Sequence, residues 1–151
     1  MTKVEKEIPF SCPEASVRTK IENWPPYYMG GEVPELRVGN VDASVGVVTL
    51  WTPPDVIWRQ LNHGSVAITG QLKTPGVGVE GIIRTCAANR RIRYLVLCGK
   101  ELREGVGSQA LISLLEKGVN ADREIIDGPE GARLSGSIPL KEIDLFRKQI
   151  T

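Results

Sequence analysis

Short runs of β-branched and other apolar residues recur along the chain from residue 45 onward. The runs over residues 45–50, 65–69 and 92–98 predict three β-strands, and a further short strand is expected near residues 124–126. Their unbroken apolarity is typical of strands that are buried on both faces of a sheet.

The segments between and after these runs have helical character. Helices are predicted over residues 54–61, 78–88, 108–116 and 139–150. In the last helix, apolar residues recur at steps of three and four, at Leu140, Ile143, Phe146 and Ile150. Strands that alternate with helices predict an α/β fold with a mostly parallel sheet and right-handed crossovers, arranged as a Rossmann-like three-layer sandwich.

Residues 1–37 differ from the rest of the chain. They are rich in proline and glycine and have no sustained helical period, which predicts an irregular N-terminal arm. We expect its aromatic residues Trp24, Tyr27 and Tyr28 to pack on the remaining chain. Residues 38–151 are then expected to form a single compact domain.

Composition narrows the function classes. A formal net charge of +1 argues against a nucleic-acid-binding domain, which usually carries an excess of lysine and arginine. The apolar runs are far shorter than the ~20 residues that a membrane-spanning helix needs, and the N-terminus has no apolar stretch of the kind found in secretory signals. A cytoplasmic protein is therefore expected. The cysteines, Cys12, Cys86 and Cys98, form no CxxC pair and predict neither a disulfide framework nor a zinc site.

Three glycine-rich loops follow predicted strands: TGQLKTPGVG at residues 69–78, CGKELREGVGS at 98–108 and DGPEGARLSG at 127–136. Ligands of open parallel sheets bind beyond the carboxyl ends of the strands, where such loops meet. Glycine lets the backbone approach a ligand closely, so these loops predict a broad binding floor. The alternative is that the glycines serve only tight connections.

Other chemical signals are weak. Gly76, Gly78 and Gly81 spell GxGxxG, but five residues separate Gly76 from the preceding strand, which is not typical of a dinucleotide site. His63 precedes the second predicted strand, at the edge opposite the glycine-rich loops, where a surface or capping role is expected. The chain has no nucleophile elbow, so no catalytic residue is predicted.

Several sequence blocks occur in an order that resembles a known family. They are ASVGVVTL at residues 43–50, AITG at 67–70, IRYLVLCGKE at 92–101, SQALISLLEKGV at 108–119 and FRKQ at 146–149. Over residues 24–150 the chain is similar to the family of A subunits of tetrahydromethanopterin S-methyltransferase. The resemblance implies a Rossmann-like domain that holds cobalamin, a corrinoid, and carries a methyl group between a methylated pterin and an acceptor.

The resemblance also implies the binding residues. The corrinoid contacts expected from it are Thr69, Gly70, Thr74, Gly76, Gly78, Cys98, Gly99, Glu101, Gly105, Val106, Gly107, Ser108, Gln109, Gly128, Gly131 and Ala132. Family members place a histidine that ligates cobalt in the second of the three loops. In this chain that position is Gly105, so the expectation is base-off cobalamin without a histidine ligand and without a metal-ligating residue.

The expected role is that of a methyltransferase component, since a pterin-binding barrel needs about 250 residues and must belong to a partner protein. The partner implied is a pterin-dependent methyltransferase, and self-association into a homo-oligomer is left open. Two alternatives remain: a non-catalytic relative that binds another ligand, or a module that docks a methyltransferase.

Overall fold

The computed structural model describes residues 36–101 and 106–151. It has four strands, β1 (Arg37–Val38), β2 (Val45–Val48), β3 (Ile68–Gly70) and β4 (Tyr94–Leu97). The described residues also form four helices, α1 (Pro54–Trp58), α2 (Val77–Ala88), α3 (Val106–Lys117) and α4 (Leu140–Gln149). The predicted α/β class is confirmed. The predicted arm lies, apart from residues 36 and 37, outside the described residues.

The four strands form one sheet in the order β1-β3-β2-β4. Strand β2 pairs in parallel with β3 and β4, whereas β1 pairs antiparallel with β3. The sheet is therefore mixed, and the expectation of a mostly parallel sheet was wrong. The reason is the short connection between β1 and β2, residues 39–44. Two strands that run in the same direction need a crossover of a dozen or more residues, and this connection is too short to provide one.

The short strand expected near residues 124–126 is absent from this sheet. These residues form isolated antiparallel bridges instead, Val119 with Ile125 and Glu124 with Arg133. The Asn120 side chain accepts hydrogen bonds from the backbone N–H groups of Asp122 and Glu124, so the chain turns back on itself here.

The main core lies between one face of the sheet and helices α2, α3 and α4. On α4, Ile143 and Phe146 are fully buried, as the amphipathic pattern predicts, but Leu140 is 53% exposed because it begins the helix. The amide of Gln149 donates hydrogen bonds to the carbonyl oxygens of Cys86 and Ile92 and so fixes the end of α4 against α2 and the segment before β4.

The other face of the sheet carries a smaller apolar cluster. Val45, Val47, Val66 and Tyr94 are buried there, with Ile57 and Trp58 of the α1 region packed against them. Helix α1 has five residues, so the two faces are covered very unequally. The α/β fold is therefore confirmed, whereas the Rossmann-like three-layer arrangement is not.

The longest described helices, α2 and α3, have 12 residues each. Within residues 36–101 and 106–151, no helix has the length and apolarity to cross a membrane.

Candidate functional site

The first turn of α2 forms one wall of a large cavity. Thr74 Oγ1 accepts a hydrogen bond from the backbone N–H of Gly78 (2.9 Å), which holds the loop after β3 against the start of the helix. Gly76 precedes the helix, and a Cβ atom on it would lie 3.0 Å from the carbonyl oxygen of Arg133. The loop after β3 and the segment that carries Arg133 therefore approach each other closely.

Residues 121–136 form the opposite wall. The backbone N–H of Ser135 donates a 2.6 Å hydrogen bond to Glu80 Oε1, which ties this segment to the first turn of α2. The Arg123 guanidinium donates to the carbonyl oxygens of Ser135 and Ile138 and closes the segment into a compact loop. The Glu80 side chain is almost fully buried.

The cavity between these walls has a volume of about 830 Å³. Its lining includes Thr74, Gly76, Glu80, Arg123, Gly131, Arg133 and Ser135. Gly131 has a φ of +80°, and no heavy atom of the described residues lies within 4 Å of the place where its Cβ would be, so it leaves open space at the rim. Hydroxyl, carboxylate, guanidinium and backbone groups together give the cavity both donors and acceptors.

The loop after β4 reaches the same end of the sheet. Glu101 accepts hydrogen bonds from the backbone N–H (2.8 Å) and the hydroxyl (2.9 Å) of Ser108 in α3. A Cβ on Gly107 would lie 3.2 Å from Leu72, and one on Gly78 would lie 2.7 Å from Leu72. The first turns of α2 and α3 therefore meet at Leu72.

The sequence-predicted contacts are distributed unevenly around this site. Thr74, Gly76 and Gly131 line the cavity, while a second group lies in the adjoining first turns of the two helices. That second group consists of Gly78, Val106, Gly107 and Ser108. Glu101 lies in the loop after β4 and contacts this group through Ser108. Gln109 is also on α3, where its amide donates to the Ser113 hydroxyl, which in turn donates to the Asp127 carbonyl.

Other predicted contacts serve the packing of the domain. Thr69 and Ala132 are buried, and the Gly70 carbonyl accepts the backbone N–H of Thr49. Gly99 has a φ of +90° and lies against the Thr49 carbonyl, and Gly128 packs on Ile125.

Cys98 and Gly105 are separate cases. Cys98 faces the α1 side of the sheet rather than the cavity, and its partial burial raises the pKa of the thiol. Gly105 lies outside the described residues.

Sequence reasoning missed five polar residues of the cavity lining, Glu80, Asp122, Arg123, Arg133 and Ser135. Only the glycines of residues 127–136 suggested a binding role for that loop, although Arg133 and Ser135 lie within it. Two arginines near a glycine-rich loop are a signal that the sequence does contain.

His63, the only histidine of the chain, does not line this cavity and contacts Trp58 instead. His63 Nε2 lies 2.8 Å from the carbonyl oxygen of Trp58 at the end of α1, and its ring stacks on the Trp58 ring at 3.7 Å. The expected capping role is confirmed. Within the described ranges, no group of three His, Cys, Asp or Glu side chains is arranged to hold a metal ion.

Residues 17–151 match the sequence profile of the MtrA family, the A subunit of tetrahydromethanopterin S-methyltransferase. The chain is similar to the A subunits of this enzyme from Methanosphaera stadtmanae (29% identical over 138 residues, 91% of this chain and 52% of that protein) and Methanopyrus kandleri (36% over 115 residues, 75% and 46%). It is also similar to the first of the numbered A subunits of Methanothermobacter marburgensis (31% over 134 residues, 88% and 53%). The chain spans about half the length of these curated relatives. It belongs to the MtrA family of tetrahydromethanopterin S-methyltransferase A subunits.

Proposed function

We propose that residues 38–151 form a Rossmann-like domain that binds cobalamin and carries a methyl group between a methylated pterin and an acceptor. One observation carries the proposal: a glycine-bordered cavity lies between the first turn of α2 and residues 121–136 in a chain of this family. The chain would act as one component of a methyltransferase, with the pterin chemistry supplied by a partner protein.

The residues of the cavity suit the periphery of a corrin ring. A volume of about 830 Å³ is near the upper end of small-molecule sites and is open enough to admit part of a large flat ring. Gly76 and Gly131 remove side chains from its border, so a ring edge can approach the backbone. Thr74, Arg133 and Ser135 would hold the amide groups of the ring by hydrogen bonds, since neutral amides both donate and accept them.

No histidine is available as the axial ligand of cobalt. His63 is held by Trp58 on the α1 side of the sheet, and the family position falls at Gly105. The proposal is therefore a base-off carrier without a protein donor below cobalt. A bound corrinoid would supply the metal that accepts and releases the methyl group, and the chain's own residues would bind and orient the ring.

The test is to mix the purified protein anaerobically with cobalamin, and to record the absorbance spectrum of the protein peak after gel filtration. We expect cobalamin to co-elute with a base-off spectrum. The variant Gly136→Trp fills the cavity from a position with no described neighbour within 4 Å of the new Cβ, and should elute colourless. Gly64→Trp is the matched control, because Gly64 is exposed and lies beside Asn62, away from the cavity.

The carrier role would be contradicted if the wild-type protein eluted without cobalamin whichever oxidation state of cobalt was offered. The variant Gly105→His tests the register with the family. It is expected to change the spectrum of bound cobalamin to that of a histidine-ligated form, and an unchanged spectrum would mean that position 105 does not face cobalt.

A second candidate function is a non-catalytic relative that binds another ligand or docks a methyltransferase. Arg133 in the cavity lining favours it, because a guanidinium group suits an anionic ligand better than a neutral amide. This candidate is supported if the wild-type protein binds another ligand but no cobalamin, and if Gly136→Trp abolishes the binding of that ligand.

A further inference from the structure

A second cavity lies on the other face of the sheet, beside α1. It has a volume of about 450 Å³ and an almost entirely apolar lining. We refer to it as the α1-side groove, and it is bordered by Val45, Val47, Leu61, Val66, Val96 and Cys98. The polar side chains of Gln60, Asn62 and Ser65 lie at its border.

This groove lies over the part of the sheet that parallel pairing normally keeps covered. Strand β2 is paired in parallel on both sides, and sheets of this kind are covered on both faces in folded proteins. Helix α1 covers part of this face, but its five residues leave the groove open over β2 and β4. Val45, Val47 and Val66 are already buried, whereas Leu61, Val96 and Cys98 of the lining are only partly buried. An apolar occupant of the groove would remove the exposed surface of these three side chains from water.

The chain enters the described structure close to this face. Arg37 Nε donates a 2.7 Å hydrogen bond to Asp55 Oδ1 of α1, which ties the start of the sheet to the helix that flanks the groove. Strands β1 and β4 are at opposite edges of the four-stranded sheet. The groove is thus two or three strand spacings from β1, roughly 10–15 Å, a distance that about five extended residues span.

Residues before Arg37 have both the length and the chemistry to fill the groove. Trp24, Tyr27 and Tyr28 precede Arg37 by more residues than the distance requires. The match to the family profile begins at residue 17 and so covers these three positions. Each aromatic side chain buries about 150–250 Å² of surface, and tyrosine hydroxyls need polar partners such as those at the groove's border.

We propose that the α1-side groove binds the chain's own aromatic segment, residues 24–28, through Trp24, Tyr27 and Tyr28. The groove is then an intramolecular docking site that completes the cover of this face. A second copy of the chain and a partner protein are the competing occupants. This inference does not depend on cobalamin binding.

Cys98 reports on the groove, because its thiol lies in the lining. The experiment measures the rate at which an aromatic disulfide reagent modifies Cys98 in a Cys12→Ser background. Cys86 is an internal standard for folding, since it is fully buried and burial raises its pKa to about 12. The triple substitution Trp24→Ala, Tyr27→Ala and Tyr28→Ala should speed modification of Cys98 at least tenfold while Cys86 stays unreactive.

Phe10→Ala is the matched control, an aromatic residue before the family-matched range, and it should leave the rate unchanged. Equal rates in the triple variant and its parent would overturn the proposal. So would protection of Cys98 that increases with protein concentration, because that result would place a second copy in the groove.

A second measurement covers the case in which the triple variant unfolds and exposes Cys86. Tyr28→Cys in the Cys12→Ser background is treated with a short bismaleimide at low protein concentration. We expect an intramolecular cross-link between positions 28 and 98, identified by peptide mass, and none from Phe10→Cys. Cross-linking of both variants to the same extent, or of neither, would overturn the proposal.

Discussion

Thr69 has a buried hydroxyl that finds no hydrogen-bond partner among the described residues. It lies in β3, fully buried, opposite Val47 of β2 and Arg37 of β1. A buried hydroxyl that lacks a partner costs on the order of 1–3 kcal/mol relative to one that is satisfied. Its position at the end of a strand near the binding loops made it a predicted cofactor contact, but its side chain is closed off from the large cavity.

Thr69→Val should raise the free energy of unfolding by about 1 kcal/mol, because valine keeps the shape and removes the unsatisfied group. Urea denaturation followed by circular dichroism measures this difference. Thr85→Val is the control. Thr85 is also buried, but its hydroxyl donates a 2.8 Å hydrogen bond to the Gly81 carbonyl, so the same substitution should destabilise the protein. A loss of stability at Thr69 comparable to that at Thr85 would show that the Thr69 hydroxyl has a partner.

At the scale of elements, the close approach of α2 and α3 depends on two glycines. Gly78 and Gly107 both face Leu72, and their lack of a side chain lets the first turns of the helices meet. The contact places the loop after β3 beside the loop after β4, so both loops reach the same end of the sheet.

Gly78→Ala should destabilise the protein by about 1–3 kcal/mol, because the new methyl group would lie 2.7 Å from Leu72 Cδ1 in a closely packed core. Gly136→Ala is the matched control, since its Cβ would meet no described atom within 4 Å. It should be neutral or slightly stabilising through the entropy of the unfolded chain. Thermal unfolding of both variants tests this, and equal midpoints would contradict the packing of Gly78 on Leu72.

The elements with strong periodicity were predictable from the sequence. Helices α2, α3 and α4 lie within two residues of the predicted ranges, because their apolar spacing is set by the core that they cover. The strands are shorter than predicted. For example, β2 ends at Val48, and Leu50 adopts a positive φ of 54° that breaks the extended chain. Strand β1 has two residues and no pattern of its own, so its pairing with β3 is decided only by the folded sheet.

The candidate site was predictable only in part. The glycine-rich loops lie at the end of the sheet where the cavity is, but the cavity's charged lining depends on how residues 121–136 fold back onto Glu80. The position of Cys98 could have been predicted from the alternation of side chains along β4. Side chains alternate along a strand, and Leu95 and Leu97 face the main core, so Val96 and Cys98 must face the α1 side.

At the scale of the whole molecule, the Arg37–Asp55 pair joins the N-terminal edge of the sheet to α1. The hydrogen bond from Arg37 lowers the pKa of Asp55 below its usual value of 3.8. A carboxyl group whose pKa is lower in the folded state stabilises the fold above its unfolded pKa, and this contribution is lost as the pH falls through the folded pKa.

Asp55→Asn should therefore lower the melting temperature at neutral pH and have little effect in strong acid, where the wild-type carboxyl is protonated as well. Both side chains are substantially exposed, so the effect should be small and should decrease with added salt. Asp144→Asn, an exposed aspartate on α4, is the control. A difference between wild type and Asp55→Asn that persists unchanged in strong acid would show that the pair's charge is not its cause.

The carboxylate of Glu101 limits the kinds of ligand that can bind at the first turn of α3. The positive end of a helix dipole attracts anions, and nucleotide-binding folds place a pyrophosphate at such an end. In α3 the carboxylate of Glu101 already occupies the first turn through its two bonds to Ser108. A phosphate group would have to displace a tethered anion whose effective concentration is far above that of any free nucleotide. The Glu101 carboxylate thus disfavours phosphate binding at the first turn of α3. The neighbouring cavity is then left for ligands that do not bind through a helix N-terminus.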